Sequence, residues 1–222
     1  MRTAAGMSAL QSLLIEVEEV TLQGDLGLPA EAPGIVVFAH GSGSSRLSPR
    51  NRFVATALQE AGFGTLLVDL LTTAEEADRS NVFDIALLAE RLGSIARWLG
   101  ARGEGSGRSL GYFGASTGAA AALIAAAHGD PPVAAVVSRG GRPDLAGRWL
   151  EKVAAPTLLI VGGRDPAVLE LNRLAYEKLS GPKRIEVVPG ATHLFEERGT
   201  LEVVAALAAE WFRRFLVPVA PA

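Results

Sequence analysis

Ser116 lies in the run Gly114-Ala115-Ser116-Thr117-Gly118, between a short apolar stretch, Leu110 to Phe113, and an alanine-rich one, Ala119 to Ala127. A serine where a strand runs straight into a helix must take a strained backbone conformation in a very tight turn, so its neighbours have to be small. The turn lifts the hydroxyl above the strand ends, at the amino terminus of the next helix. Chance supplies G-x-S-x-G often in a glycine-rich chain. Here its context, strand before and helix after, marks a nucleophile.

A serine hydroxyl is a poor nucleophile at neutral pH and needs a base within hydrogen-bond reach. The chain has three histidines. His40 ends an apolar run inside His40-Gly41-Ser42-Gly43 and reads as an anchor for that loop. His128 closes the alanine-rich helix beside Gly129, where a histidine serves as a capping cation, ~18 Å from the turn by helical rise. His193, in Gly190-Ala191-Thr192-His193-Leu194-Phe195, follows the last predicted strand, and parallel topology puts its loop at the same sheet edge as Ser116. His193 is the expected base; the alternative is a hydrogen-bonded loop histidine with no chemical part.

The base needs an acid to fix its tautomer. Asp165 follows the strand Thr157 to Val161 through Gly162-Gly163-Arg164, and its place between serine and histidine in chain order favours it. The competing reading makes Asp165 the cap of a helix starting at Pro166. Asp69, also at a strand end, is the second choice; Asp144 and Glu196 read as solvated loop charges. Acyl transfer further requires donors aimed at the developing oxyanion. The Thr117 amide supplies one by construction of the turn, and the small, flexible loop Gly41 to Ser45 is expected to bring the Ser42 amide as the second. The rival for that loop is a plain turn.

Positioning these groups calls for a particular frame. Leu13 to Leu28 alternates and holds Gly24 and Gly27, which predicts two antiparallel strands joined by a turn. Gly34 to Ala39, Thr65 to Val68, Leu110 to Phe113, Val133 to Val137, Thr157 to Val161 and Arg184 to Val188 read as buried strands. Ile85, Leu88, Leu92, Ile95 and Leu99 hold helical spacing, as do Leu201, Val204, Ala208, Trp211 and Phe215. Alternating strands and helices predict a mostly parallel sheet with helices on both faces. Asn51 is expected to help start the helix after Pro49.

The 222 residues suit a single domain spanning 1–222, with residues 1–11 read as a disordered N-terminal segment. A net charge of −3 with scattered lysines and arginines gives no nucleic-acid or polybasic membrane face. With no cysteine, disulfides, thiolate metal sites and a cysteine nucleophile are excluded. No cofactor or metal is expected, since no phosphate-binding loop motif and no histidine pair at i, i+4 occurs. The N-terminus lacks the apolar core of a signal peptide, which makes cytoplasmic the default location.

The order Ser116, Asp165, His193, preceded by His40-Gly41-Ser42-Gly43-Ser44-Ser45-Arg46 and with Val161-Gly162-Gly163-Arg164-Asp165 between, resembles the α/β-hydrolase superfamily and most closely its dienelactone-hydrolase-like branch. The resemblance implies an α/β-hydrolase fold of about eight strands without a cap domain, since only 138–156 separates two strands where lids usually enter. Dienelactone hydrolases proper carry cysteine where this chain has Ser116, so what it implies is a serine esterase for small soluble esters. The alternatives are the same triad on thioesters, amides, lactones or peroxide, and a non-catalytic binding protein on a hydrolase scaffold. Arg46, Arg139 and Arg142 are candidates for binding a substrate carboxylate near the site mouth, although such arginines are more often solvated or paired with a carboxylate such as Asp144.

Overall fold

Gly34–Ala39 (β3) carries no polar side chain, and all six residues are buried, as a strand covered on both faces requires. Gly64–Val68 (β4), Ala135–Arg139 (β6) and Thr157–Gly162 (β7) are likewise buried throughout, and Ser109–Ala115 (β5) nearly so. Gln11–Val17 (β1), Val20–Gly27 (β2) and Lys183–Val188 (β8) complete the sheet. In the computed structural model, which describes residues 10–218, the eight strands lie in the order β1-β2-β4-β3-β5-β6-β7-β8. From β4 to β8 all neighbours are parallel; β2 runs antiparallel to β4, and β1 to β2. Of the first eleven residues, 1–9 lie outside the described ones, and Gln11 already belongs to β1 rather than to a disordered segment.

Pro49–Glu60 (α1) and Thr200–Phe215 (α7) cover one face, where Val54, Leu58 and Phe212 pack with Val36, Phe38 and Phe113. Ile85–Ala101 (α4), Thr117–His128 (α5) and Pro166–Lys178 (α6) cover the other, where Leu88, Leu92 and Ile95 pack with Val37, Tyr112 and Val136. Every residue of α5 from Thr117 to Ala126 is buried. Alanine makes that possible, because its short side chain lets the helix sit close to the sheet.

Five details depart from the sequence reading. The β1–β2 turn falls at Glu18 (φ 53°), not at a glycine. Gly24 lies inside β2, where a Cβ would stand 2.7 Å from Ile15 Cδ1. The strand predicted at Val133 to Val137 runs two residues later, so Arg139 is part of the sheet. Ser48, not Asn51, caps α1, and Asn51 is buried in its first turn. Lastly, two short helices, Thr73–Glu76 (α2) and Arg79–Phe83 (α3), separate β4 from α4. Between β6 and β7 there is only a 3-10 segment, Pro143–Lys152, broken at Gly147, and the described residues include no cap domain. Among the described residues, no helix is long and apolar enough to cross a membrane.

Candidate active site

Parallel strands end at one edge, and that edge collects His40, Asp69, Ser116, Gly140, Asp165 and the loop with His193. Ser116 has φ 51° and ψ −122°, a left-handed conformation that for a non-glycine residue costs about 1–3 kcal/mol. The flanking glycines are demanded by the backbone. A Cβ at Gly114 would stand 2.8 Å from the Ala119 nitrogen, and one at Gly118 would be 2.5 Å from the His40 carbonyl oxygen and collide with that of Ala39. Both backbone groups of Ser116 are engaged: its N–H donates to the Arg139 carbonyl (3.3 Å), and its carbonyl accepts from Ala119 (3.1 Å) and Arg142 (3.0 Å). Its side chain makes no cap bond to α5.

His193 and Asp165 are brought together. The imidazole Nδ1–H donates to Asp165 Oδ2 at 2.7 Å, the His193 side chain being 38% exposed and that of Asp165 15%. Asp165 does occupy the N-cap position of α6, yet its side chain makes no cap bond there. That separates the two readings of this residue, because the carboxylate faces the histidine and not the helix. The His193 loop rests on two glycines. A Cβ at Gly140 (φ 51°) would press within 2.9 Å of the His193 carbonyl oxygen, and one at Gly162 within 2.5 Å of that of Ala191. Glu197 accepts from the Thr192 N–H at 3.1 Å, and hydrogen bonding from Thr192 holds its carboxyl below the usual range.

The other two histidines have other tasks. His40 Nδ1 donates to the Gly41 carbonyl (3.0 Å) and Nε2 accepts from the Leu70 N–H (3.2 Å), so the ring staples the β3 loop to the end of β4. His128 stands edge-on to Trp149, with ring centroids 4.7 Å apart. Asp69, the second-choice acid, takes the Arg46 N–H at 2.7 Å and the Arg46 guanidinium at 2.5 Å.

Four expectations need correction. The Ser42 amide is not free: its N–H donates to Thr117 Oγ1 at 2.9 Å, which brings the two expected oxyanion donors side by side but commits one of them. Arg46 is held by Asp69 and, at 3.7 Å, by Asp25. Arg142 makes a two-pronged contact with Asp144, at 2.9 and 2.8 Å, and that bond raises its pKa. Arg139 is not at the mouth, because β6 runs two residues later than predicted and carries its side chain under α1. There it is 8% exposed and donates to Asn51 Oδ1 at 3.3 Å; burial and the nearby Arg50 lower its pKa to about 10. Glu196 is an exposed loop charge as expected, and it also accepts from Arg50 of α1 at 3.0 Å.

The sequence reading missed Leu71 and Val82, which with Leu88 back the His40–Gly43 loop across a hollow of only about 10 Å³, at most a single water's worth. No periodic signal marks 70–84, since its helices span barely one turn each. Among the described residues no cluster of three or more His, Asp or Glu stands ready to hold a metal.

A serine on a strained strand-to-helix turn, at the edge of a parallel sheet that also carries a bonded histidine–aspartate pair, defines the α/β-hydrolase class. Within it, the model of the dienelactone hydrolase family matches residues 22–217, and the chain belongs to that family. It is similar to a dienelactone hydrolase from Anabaena variabilis, with 54% identity and a TM-score of 0.90 over 93% of this chain and 99% of that one. Est1E from Butyrivibrio proteoclasticus shares the fold at 15% identity, with a TM-score of 0.77 over 91% of this chain and 98% of that one. Two Mycobacterium tuberculosis proteins that carry the provisional name phosphoribosyl transferase are 62% identical over 193 residues. The match covers 87% of this chain and 44% of each relative, so the chain spans less than half of their length.

Proposed function

We propose that this hydrolase cleaves small carboxyl esters through an acyl-enzyme intermediate on Ser116. The observation that carries the reading is the His193–Asp165 bond, made by an aspartate that stands at a helix cap without capping. With Nδ1–H bound to Asp165, the Nε2 lone pair is left to take the Ser116 proton as Oγ attacks the ester carbonyl. Negative charge then develops on the carbonyl oxygen beside the Thr117 amide. Ser42 joins it when its N–H turns from Thr117 Oγ1 to the substrate, each such donor contributing about 10²–10³ in rate. Collapse expels the alcohol, which takes the proton from His193. Water, activated in the same way, attacks the acyl-enzyme and releases the carboxylic acid.

The lack of a cap favours short acyl groups, since an open cleft forgoes most of the ~0.8 kcal/mol that each buried methylene contributes. The steps serve thioesters and lactones as well, but the serine nucleophile favours simple esters over dienelactone. The transferase name of the M. tuberculosis relatives is not carried over, because the matched part is the hydrolase part and most of their length lies outside it.

Turnover of p-nitrophenyl acetate and palmitate by wild type and Ser116→Ala tests the reading. The acetate should be the better substrate, and Ser116→Ala should fold normally and lose about 10⁴-fold or more in kcat. A phosphonate should label Ser116. Labelling at another serine, or wild-type turnover by the alanine variant, overturns the assignment.

A further inference from the structure

The opposite edge of the sheet, where β5 begins, holds a cavity of about 400 Å³, within the range of small-molecule sites. It lies between α4 and the strand ends, walled by Ile35, Leu99, Leu110, Pro132 and Val133, with Arg108 beside them. The seven residues of β5, at ~3.3 Å each, put roughly 20 Å between it and Ser116. It is therefore separate from the candidate active site.

Arg108 gives the cavity its chemistry. Its guanidinium donates only to neutral carbonyl oxygens, Glu104 (3.0 Å) and Ala30 (3.1 Å). Its Nε is buried without a hydrogen-bond partner, and none of the ion pairs among the described residues involves it. Ser109, another polar group of the wall, gives its hydroxyl to the Val217 carbonyl. Among the described residues the charge of Arg108 thus lacks a counter-charge at the border of an apolar hollow. Each terminal nitrogen keeps a second N–H that no carbonyl takes, and these are the donors left for a carboxylate.

We propose that this cavity is a binding site for a medium-chain monocarboxylate, the carboxylate on Arg108 and the alkyl chain against Leu99, Leu110 and Val133. The site is independent of the chemistry assigned to Ser116. Buried methylenes at ~0.8 kcal/mol each make affinity rise about fourfold per carbon until the cavity is full.

Calorimetric titration of the wild-type protein with sodium decanoate, below its micelle concentration, tests this. Decanoate should bind one-to-one and more tightly than hexanoate. Arg108→Gln should weaken decanoate roughly ten- to a hundredfold, the range of a charge-assisted bond, while leaving decanol unchanged. Gly100 lines the cavity at its exposed rim, and its Cβ would meet no atom from outside its own helix within 4 Å. Gly100→Phe should therefore fill the space and abolish binding of both ligands, which keeps the test open if Arg108→Gln fails to fold. No binding to the wild type, or decanoate affinity unchanged in Gly100→Phe, overturns the proposal. A loss of decanol equal to that of decanoate in Arg108→Gln overturns the carboxylate role.

Discussion

The Ser116 turn and the His193 loop meet at one sheet edge but are held there by different means. Around Ser116 the restraint is packing: Gly114 and Gly118 leave no room for a methyl group, and both backbone groups of the serine are engaged. His193 is more than a third exposed, and its ring direction depends on one side-chain bond to Asp165. The serine's place is therefore bound up with the stability of the fold, whereas the imidazole's orientation can be lost without unfolding anything.

The largest effect that tests this contrast is on the loop side. Asp165→Asn should reduce kcat about 10³- to 10⁴-fold by favouring the wrong imidazole tautomer, with little change in Tm. Asp69→Asn should cost less than tenfold in rate, because that carboxylate holds Arg46 rather than a histidine. Steady-state kinetics on p-nitrophenyl acetate decide between them. A dead Asp69 variant beside an active Asp165 variant would reverse the assignment of the acid.

On the turn side, rate and stability should fall together. Gly118→Ala places a methyl group against the carbonyl oxygens of Ala39 and His40, backbone atoms that cannot rotate away. Overpacking of this kind costs about 3 kcal/mol, or roughly 6–12 °C in Tm for a chain of this size. Displacing the serine by even ~1 Å should cost about 10² in rate. An unchanged melting temperature in Gly118→Ala would break the comparison with Asp165→Asn.

The two regions also differ in how much of them the sequence discloses. Local chemistry identifies the turn, because G-x-S-x-G between an apolar run and an alanine-rich one has few structural solutions, and the buried strands announce themselves by composition. The His193–Asp165 pairing follows from parallel topology, which sends every strand end to one edge. What stayed hidden depends on side-chain direction. A strand end misplaced by two residues changed Arg139 from a mouth residue into a buried one. Whether Arg46 and Arg142 stand free or meet Asp69 and Asp144 is decided by loop geometry that has no period. Nor does a sequence disclose that the Ser42 amide is bonded to Thr117.

That bond supports a smaller prediction about the loop facing the turn. Thr117→Val removes the acceptor of the Ser42 N–H while keeping the volume of the side chain. If the bond holds the Gly41–Ser45 loop in place for catalysis, kcat/KM should drop about tenfold, the equivalent of ~1.4 kcal/mol. A faster variant would mean that breaking this bond to free the Ser42 amide limits the rate, and that the loop does not need it to stay in place.

The smallest effect concerns how the His193 loop is tied down. Hydrogen bonds from Thr192, with a lesser attraction from Arg164, hold the Glu197 carboxyl below its ordinary value of 4.5. A carboxyl whose pKa is lower in the folded than in the unfolded chain stabilises the fold in its ionised form. That contribution is fully present above pH 4.5 and is lost as pH falls through the folded value. Glu197→Gln keeps an acceptor for the Thr192 N–H but removes the charge. Since Glu197 is at the surface, the Tm gap from wild type at pH 7 should be only about 1–2 °C. The gap should close as the pH is lowered through 4 and beyond, where the wild-type carboxyl is neutral as well. Thermal melts of both proteins across that range measure it. A gap that stays constant or widens on acidification would show that the loop is held by packing, as the Ser116 turn is, and would remove the contrast between the two regions.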